Sequence, residues 1–407
     1  MNRPNFPDSW QPGSKTFHSM TNYIIVILCL IVLLSYLFDI TSRYSRIPGV
    51  VLLIGLGILL NLLAGATGLR IPNFKSILPV IGTLGLILIV MDASLDLKIE
   101  RDKKVMIGRS IFSAIILFGI FTAGMTVILV HFMGHSVRDS MLNSIPLGII
   151  SSAVAIPASR NINPRQKEFI VYESAFSDII GIMVFDIILV TSGSFGNGLF
   201  RFGLNALVTL VIAIITTSVL AMLLHKIKYH VNYVIIMTAV VMVYALAKIV
   251  HLPALLLVLC FGMALSNSRF VEHTFIKRFV DFEKFRNDLE SFRRIAGELT
   301  FLVRSFFFII FGFYTSLNGM FNPDNLITAL SIAAGIFLLR AAFFIFLLRS
   351  GDLALIFFAP RGLITILLFM SIPSASAIPR INAEVITLVI LLTLLVLIIG
   401  NFVRSKN

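Results

Sequence analysis

Residues 172–186 read YESAFSDIIGIMVFD and set Glu173, Asp178 and Asp186 into one of the most apolar stretches of the chain. A charged side chain at the centre of a bilayer costs at least about 2.5–3.5 kcal/mol on insertion scales, so such groups are rare and mark ion paths or proton relays. Three carboxylates in one apolar segment therefore decide two things together. The segment, 167–192, reads as a membrane-spanning helix, and its function is sought among its acids. Glu173 and Ser177 are four apart, as are Ser174 and Asp178, so each couple shares one strip of the helix surface. Glu173 and Asp178 are five apart, roughly 140° around the axis, and face different neighbours. One acid is then expected to be held by a base as a structural pair, leaving the other free to titrate.

The rest of the chain fits that membrane reading. Of 407 residues, 58% are hydrophobic and only 13% charged, far from the balance of a soluble domain. The formal net charge of +13 comes with no nucleic-acid motif, so the bases are read as loop charges that set topology. Cys29 and Cys260 lie in apolar runs without CxxC spacing or a nearby His, which argues against a redox pair or a metal site and leaves them as packing residues. No cofactor motif is present. Residues 1–20 lack the apolar core and cleavage site of a signal peptide, and the first span is expected to direct insertion. After Val403 only RSKN remains, so regulation is expected to act on the membrane part.

Thirteen apolar stretches are long enough to cross a bilayer, from 22–40 to 382–403, with the fifth at 140–159, the sixth at 167–192, the tenth at 299–318, the eleventh at 324–349 and the twelfth at 352–372. Of the 33 Lys and Arg, 21 fall in the loops of one side, eight in those of the other and four within spans. Positive charge marks the cytoplasmic loops, so the N-terminus is expected outside and the C-terminus in the cytoplasm. The long polar insertion at 268–298 carries Phe275, Phe279, Phe282, Phe285, Leu289, Phe292 and Ile295 at steps of three or four, the pattern of a helix lying on the cytoplasmic surface.

A second signal comes from interrupted spans. The fifth, GIISSAVAIPASRNINP, has Ser151 and Ser152 at mid-membrane and then Pro157, which removes a backbone donor. The twelfth repeats the device with Ala359, Pro360, Arg361 and Gly362. Such breaks persist in a membrane only where freed backbone groups meet protein or water, and paired breaks in corresponding halves point to a transporter site between inverted repeats. The expected fold is an all-α polytopic membrane protein of about thirteen transmembrane helices, with two inverted-topology repeats and crossed discontinuous helices. Its parts would be an outer tail 1–21, a first repeat 22–192, a linking span 193–230, a second repeat 231–403 containing the surface helix 268–298, and a cytoplasmic tail 404–407. The intramembrane bases Arg304, Arg340 and Arg361 match the three acids in number.

ESAFSD and PRGLITILL, with RIPGVVLLIGLGILLN, LILIVMDASLDL, PALLLVLCFGMALSN and FFFIIFGF, resemble motifs of the monovalent cation:proton antiporter superfamily, in its sodium/proton exchanger (NhaP-like) branch, over nearly all of 22–403. The resemblance implies that Asp178 binds the ion and the proton in turn, with Na⁺ held transiently there, and that Glu173 pairs with Arg340. Arg361 would stand at the crossing with Pro157, Pro360 and Gly362, offsetting the negative end of a half-helix. It also implies a core of spans 4–6 and 11–13 moving against the remaining spans, which form a homodimer interface in the cell membrane. Two positions depart from the family pattern: Ser177 replaces its Asn, and Ser151-Ser152-Ala153 replaces its Thr-Asp-Pro. Hydroxyls and backbone oxygens remain, and these suit a hard cation such as Na⁺ or Li⁺. Arg304 and Asp186 are accessory candidates, with Arg304 either countering Asp186 or lining the path. The expected activity is electroneutral one-for-one exchange of Na⁺, or Li⁺, for H⁺. K⁺/H⁺ exchange at the same site and sodium-coupled symport of an organic anion are the alternatives, and an enzyme is not expected.

Overall fold

The computed structural model describes residues 26, 29–41, 47–67, 78–96, 103–159, 162–190, 203, 207–209, 211–216, 232–250, 252, 254–267, 282–348 and 353–404. Its regular elements are helical. They are α1 (Cys29–Thr41), α2 (Gly49–Thr67), α3 (Leu78–Asp96), α4 (Lys104–Met133), α5 (Val137–Gly148), α6 (Ser152–Ala158), α7 (Pro164–Val190), α8 (Asn232–Ile249), α9 (Ala254–Ser266), α10 (Phe282–Tyr314), α11 (Pro323–Ala342), α12 (Leu363–Met370) and α13 (Ala383–Arg404). Each expected span meets a described helix, the seventh at Leu207–Thr216, although most of 199–224 lies outside the described residues.

Among the described residues, six helical stretches are long and apolar enough to cross a membrane: Gly49–Ala66, Lys104–Met133, Val137–Ala158, Leu289–Tyr314, Pro323–Leu347 and Ala383–Asn401. α7 is not among them although it has 27 residues, because every stretch of 18 within it carries at least three charged side chains. The helix that decides the fold is thus the one whose own composition least favours lipid. It is tolerated because its acids face protein: Glu173 and Asp178 are 1% and 4% exposed.

The helices pack in two groups. α2, α3, α8, α9 and α10 pack on one another, and α4, α5, α6, α7, α11, α12 and α13 form the second group. In the first, α2 and α10 approach so closely at Gly57 and Gly312 that a Cβ on Gly57 would lie 2.1 Å from the Ile309 carbonyl oxygen. In the second, α4 ends at Gly134, whose left-handed φ of 71° closes the turn. The next helix starts two residues on, where the Ser136 hydroxyl accepts from the Asp139 amide at 3.1 Å. Arg138 in the first turn of α5 donates to the Ile188 and Leu189 carbonyls at 3.3 and 2.9 Å, fastening the end of α7.

Two features differ from the sequence expectation. Residues 282–298 do not form a helix separate from the tenth span: α10 runs unbroken for 33 residues from Phe282 to Tyr314, and 268–281 lie outside the described residues. From Phe282 onward, the amphipathic pattern read as a surface helix continues without interruption into the helix of the tenth span. Nor is Pro157 the break of the fifth span. The chain leaves the helix at Ile149 (φ −80°, ψ 132°) and re-enters it after Ser151 (φ −74°, ψ 114°), while Pro157 sits inside α6. A proline in the last turn of a seven-residue helix removes a donor there but does not open the chain six residues upstream.

Candidate functional site

The twelfth span is broken like the fifth. A 3₁₀ turn, Leu353–Phe357, gives way to non-helical backbone over 358–362 and then to α12. The two breaks touch: the Ser151 amide donates to the Pro360 carbonyl at 2.9 Å. At the same point a Cβ on Gly362 would lie 2.6 Å from Ser151 Oγ and 2.9 Å from its Cβ, so this crossing is too close for any residue larger than glycine.

Backbone released from a helix in the bilayer must find partners inside the protein, and three amides of the first break do. Ile150 N donates to Ser177 Oγ at 2.9 Å, Ser151 N to Pro360 O, and Ser152 N to Asp178 Oδ2 at 3.1 Å. The two α7 side chains that meet the break are therefore adjacent in sequence, Ser177 and Asp178. Arg361 serves the opposite polarity. Its Nε donates to the Leu147 carbonyl at 2.6 Å and its Nη1 to Ala359 O at 3.4 Å, and its own amide donates to Thr393 Oγ1 at 3.0 Å. The guanidinium thus satisfies the last turn of α5, where the carbonyl end of the helix carries partial negative charge, and lies 6.0 Å from the Phe121 ring centroid.

The acids of α7 have different surroundings. Glu173 is bound by a two-pronged salt bridge: Arg340 Nη1 and Nη2 donate to its two oxygens at 3.0 and 2.7 Å, and Ser113 Oγ donates to Oε1 at 2.5 Å. Arg340 Nε is taken by the Leu355 carbonyl at 2.8 Å, so this buried pair is also hydrogen-bonded along its edges, the condition under which a buried ion pair is tolerated. Among the described residues Asp178 has no such base. Its Oδ1 is buried and, among the described residues, has no hydrogen-bond partner; the same holds for Ser151 Oγ. Asp186 is half-buried and lies within electrostatic range of Tyr244 and Lys248 on α8. Arg304 is not its partner: Nη1 of Arg304 donates to the Ala153 carbonyl at 3.1 Å.

A cavity of ≈ 730 Å³ leads to this region. It is lined by Lys167, Glu290 and Arg293 at one end and by Ser152, Ala153 and Arg304 at the other. Glu290 and Arg304 are separated by 14 residues of α10, about 21 Å of helical rise. Among its lining residues is Asp92 on α3, which sequence reasoning passed over although an acid inside LILIVMDASLDL carried the same signal as Asp178. Thr393 and the Leu147 carbonyl, which complete the crossing, had no signal in the sequence. Among the described residues no cluster of three or more His, Cys, Asp or Glu could hold a resident metal ion.

The model of the transmembrane sodium/hydrogen exchanger family matches residues 28–404. Among solved structures, that of the sodium proton antiporter MjNhaP1 from Methanocaldococcus jannaschii at pH 8 is similar with a TM-score of 0.67 and 20% identity, over 93% of this chain and 96% of that one. An electron-microscopy structure of the same antiporter gives 0.66 and 20% over 94% and 95%. A sequence comparison with curated proteins finds no match. The likeness to the solved structures shows a shared fold, and the family model, spanning nearly the whole chain, shows the lineage: the chain belongs to the sodium/hydrogen exchanger family, a family of membrane transporters and not of enzymes.

Proposed function

We propose that this protein exchanges a monovalent cation, Na⁺ or Li⁺, for a proton across the membrane, and that both compete for Asp178. The observation that carries the reading is the contrast between two buried acids on one helix. Glu173 has a guanidinium partner, whereas Asp178 has one backbone amide and an unpartnered Oδ1. A buried carboxylate without a base is stable only when something neutralises it. A proton does so, and so does a cation held with hydroxyl and carbonyl oxygens of the break, ligands that hard cations favour. Since either neutralises the group, one leaves as the other arrives. The loaded site crosses and the bare carboxylate does not, which couples the two flows. With one such acid at the crossing among the described residues, exchange is one for one. The loop-charge asymmetry supports a cytoplasmic C-terminus, which puts the Lys167–Arg293 end of the cavity on the cytoplasmic face.

The test is recovery of a pH-sensitive dye in everted vesicles upon separate addition of Na⁺, Li⁺ and K⁺. Na⁺ or Li⁺ is expected to release the proton gradient, and Asp178→Asn is expected to abolish that response while the protein accumulates normally. Full exchange in Asp178→Asn would contradict the assignment; a response to K⁺ alone would correct the ion.

A further inference from the structure

Arg304 links the two helix groups. It lies on α10, in the first group, yet its Nη1 donates to the carbonyl of Ala153 on α6, in the second. The neighbouring residue, Ser152, gives its amide to Asp178 Oδ2. One turn of chain thus has its carbonyl held by one helix group and its amide bound to the acid of the other. α10 is fastened to its own group on either side of Arg304. Thr300 Oγ1 donates to the Leu88 carbonyl of α3 at 3.2 Å, and Gly312 meets the α2 backbone so closely that a Cβ there would lie 2.3 Å from Ile54 O. Arg304 therefore cannot follow α6 if the groups slide past one another. Its side chain also lines the cavity beside Asp92, so the bond is made at the place where that cavity meets the break.

From this placement we propose that Arg304 is a positioning residue for exchange: it holds the Ser152–Ala153 turn against α10 while the site is open to the Lys167–Arg293 end of the cavity, and it releases Ala153 each time the site turns to the opposite face. The proposal rests on the exchange reading above. A hydrogen bond from a guanidinium is stronger than one between neutral groups, and an interaction made in only one of two arrangements shifts the balance toward it. Removing the donor lowers the population open to the cavity.

The experiment places Ala93→Cys on the cavity wall in a chain whose Cys29 and Cys260 are replaced by Ser, and times its labelling by a membrane-impermeant maleimide applied to everted vesicles. Arg304→Met, which removes both the charge and the donor, is expected to slow labelling roughly tenfold, the order that one charge-assisted hydrogen bond supports, and to raise the apparent KM for Na⁺ on that face more than on the other. Arg304→Lys, which keeps a charge and a donor, is expected to restore most of the labelling rate. Should Arg304→Met not accumulate, Arg304→Leu, which likewise has no donor, takes its place with the same expectation. Unchanged labelling, or equal KM changes on both faces, overturns the proposal. Labelling requires no ion flux, so a chain that labels as expected but exchanges no cation retains this role for Arg304 and loses the exchange reading instead.

Discussion

Glu173 and Asp178 show how two identical kinds of charge on one helix acquire different fates. The five-residue spacing already turned them to different neighbours. The base that reaches Glu173 is Arg340, 167 residues away, in a pair whose members are each 1% exposed. Breaking such a pair from one side leaves an uncompensated buried charge and costs about 3–5 kcal/mol. Arg340→Ala is therefore expected to lower the thermal midpoint in detergent and the yield, whereas Glu173→Gln with Arg340→Met, which removes both charges, should recover much of the loss. If Arg340→Ala melts like the parent, the structural role of the pair is wrong. The special position of Asp178 was legible as an acid in an apolar span; its Ser152 donor was not, because that amide is freed by a break whose place the sequence misassigned to Pro157.

The two interrupted spans make one element, since neither break is satisfied without the other. Ser151 donates to Pro360, Arg361 donates to Leu147, and Thr393 on α13 accepts from the Arg361 amide. The closest point is Gly362. A methyl there would meet Ser151 Oγ at 2.6 Å, Ser151 Cβ at 2.9 Å and Val154 Cγ2 at 3.0 Å. Overpacking of this kind costs about 1–3 kcal/mol, and here it displaces the amides that hold Asp178. Gly362→Ala is expected to cut exchange at least about tenfold, since a small misplacement of a binding group is enough for that. Gly335→Ala, on α11 with nothing within 4 Å of the added methyl, is expected to leave exchange unchanged and serves as the control. Equal exchange rates in the two variants would show that the crossing tolerates separation. That both spans are broken was readable from their proline, glycine and serine content; that the first opens at Ile149–Ser151 was not, because the cause is tertiary. Ser177 and Pro360 supply partners that make non-helical backbone affordable there.

The whole molecule divides into two packed groups of helices, joined at the site by α12 on α3, α9 on α7 and α6 on α3. On the exchange reading proposed above, the one unpaired acid that the described residues place at the crossing would move one charge in for one charge out. Adding Na⁺ to vesicles is then expected to collapse a pH gradient without creating a membrane potential, read with a potential-sensitive dye; a sustained potential would contradict one-for-one exchange. Sequence alone determined that this is a polytopic helical membrane protein with acids where lipid forbids them, and which spans are interrupted, because hydrophobic length and the cost of buried charge act residue by residue along the chain. Tertiary structure alone decided which acid is neutralised by a base, where the fifth span opens, and that Arg304 reaches Ala153 and not Asp186. Those outcomes depend on hydrogen bonds between groups 26 to 214 residues apart, and no local pattern encodes which distant partner will satisfy a freed amide or a buried charge.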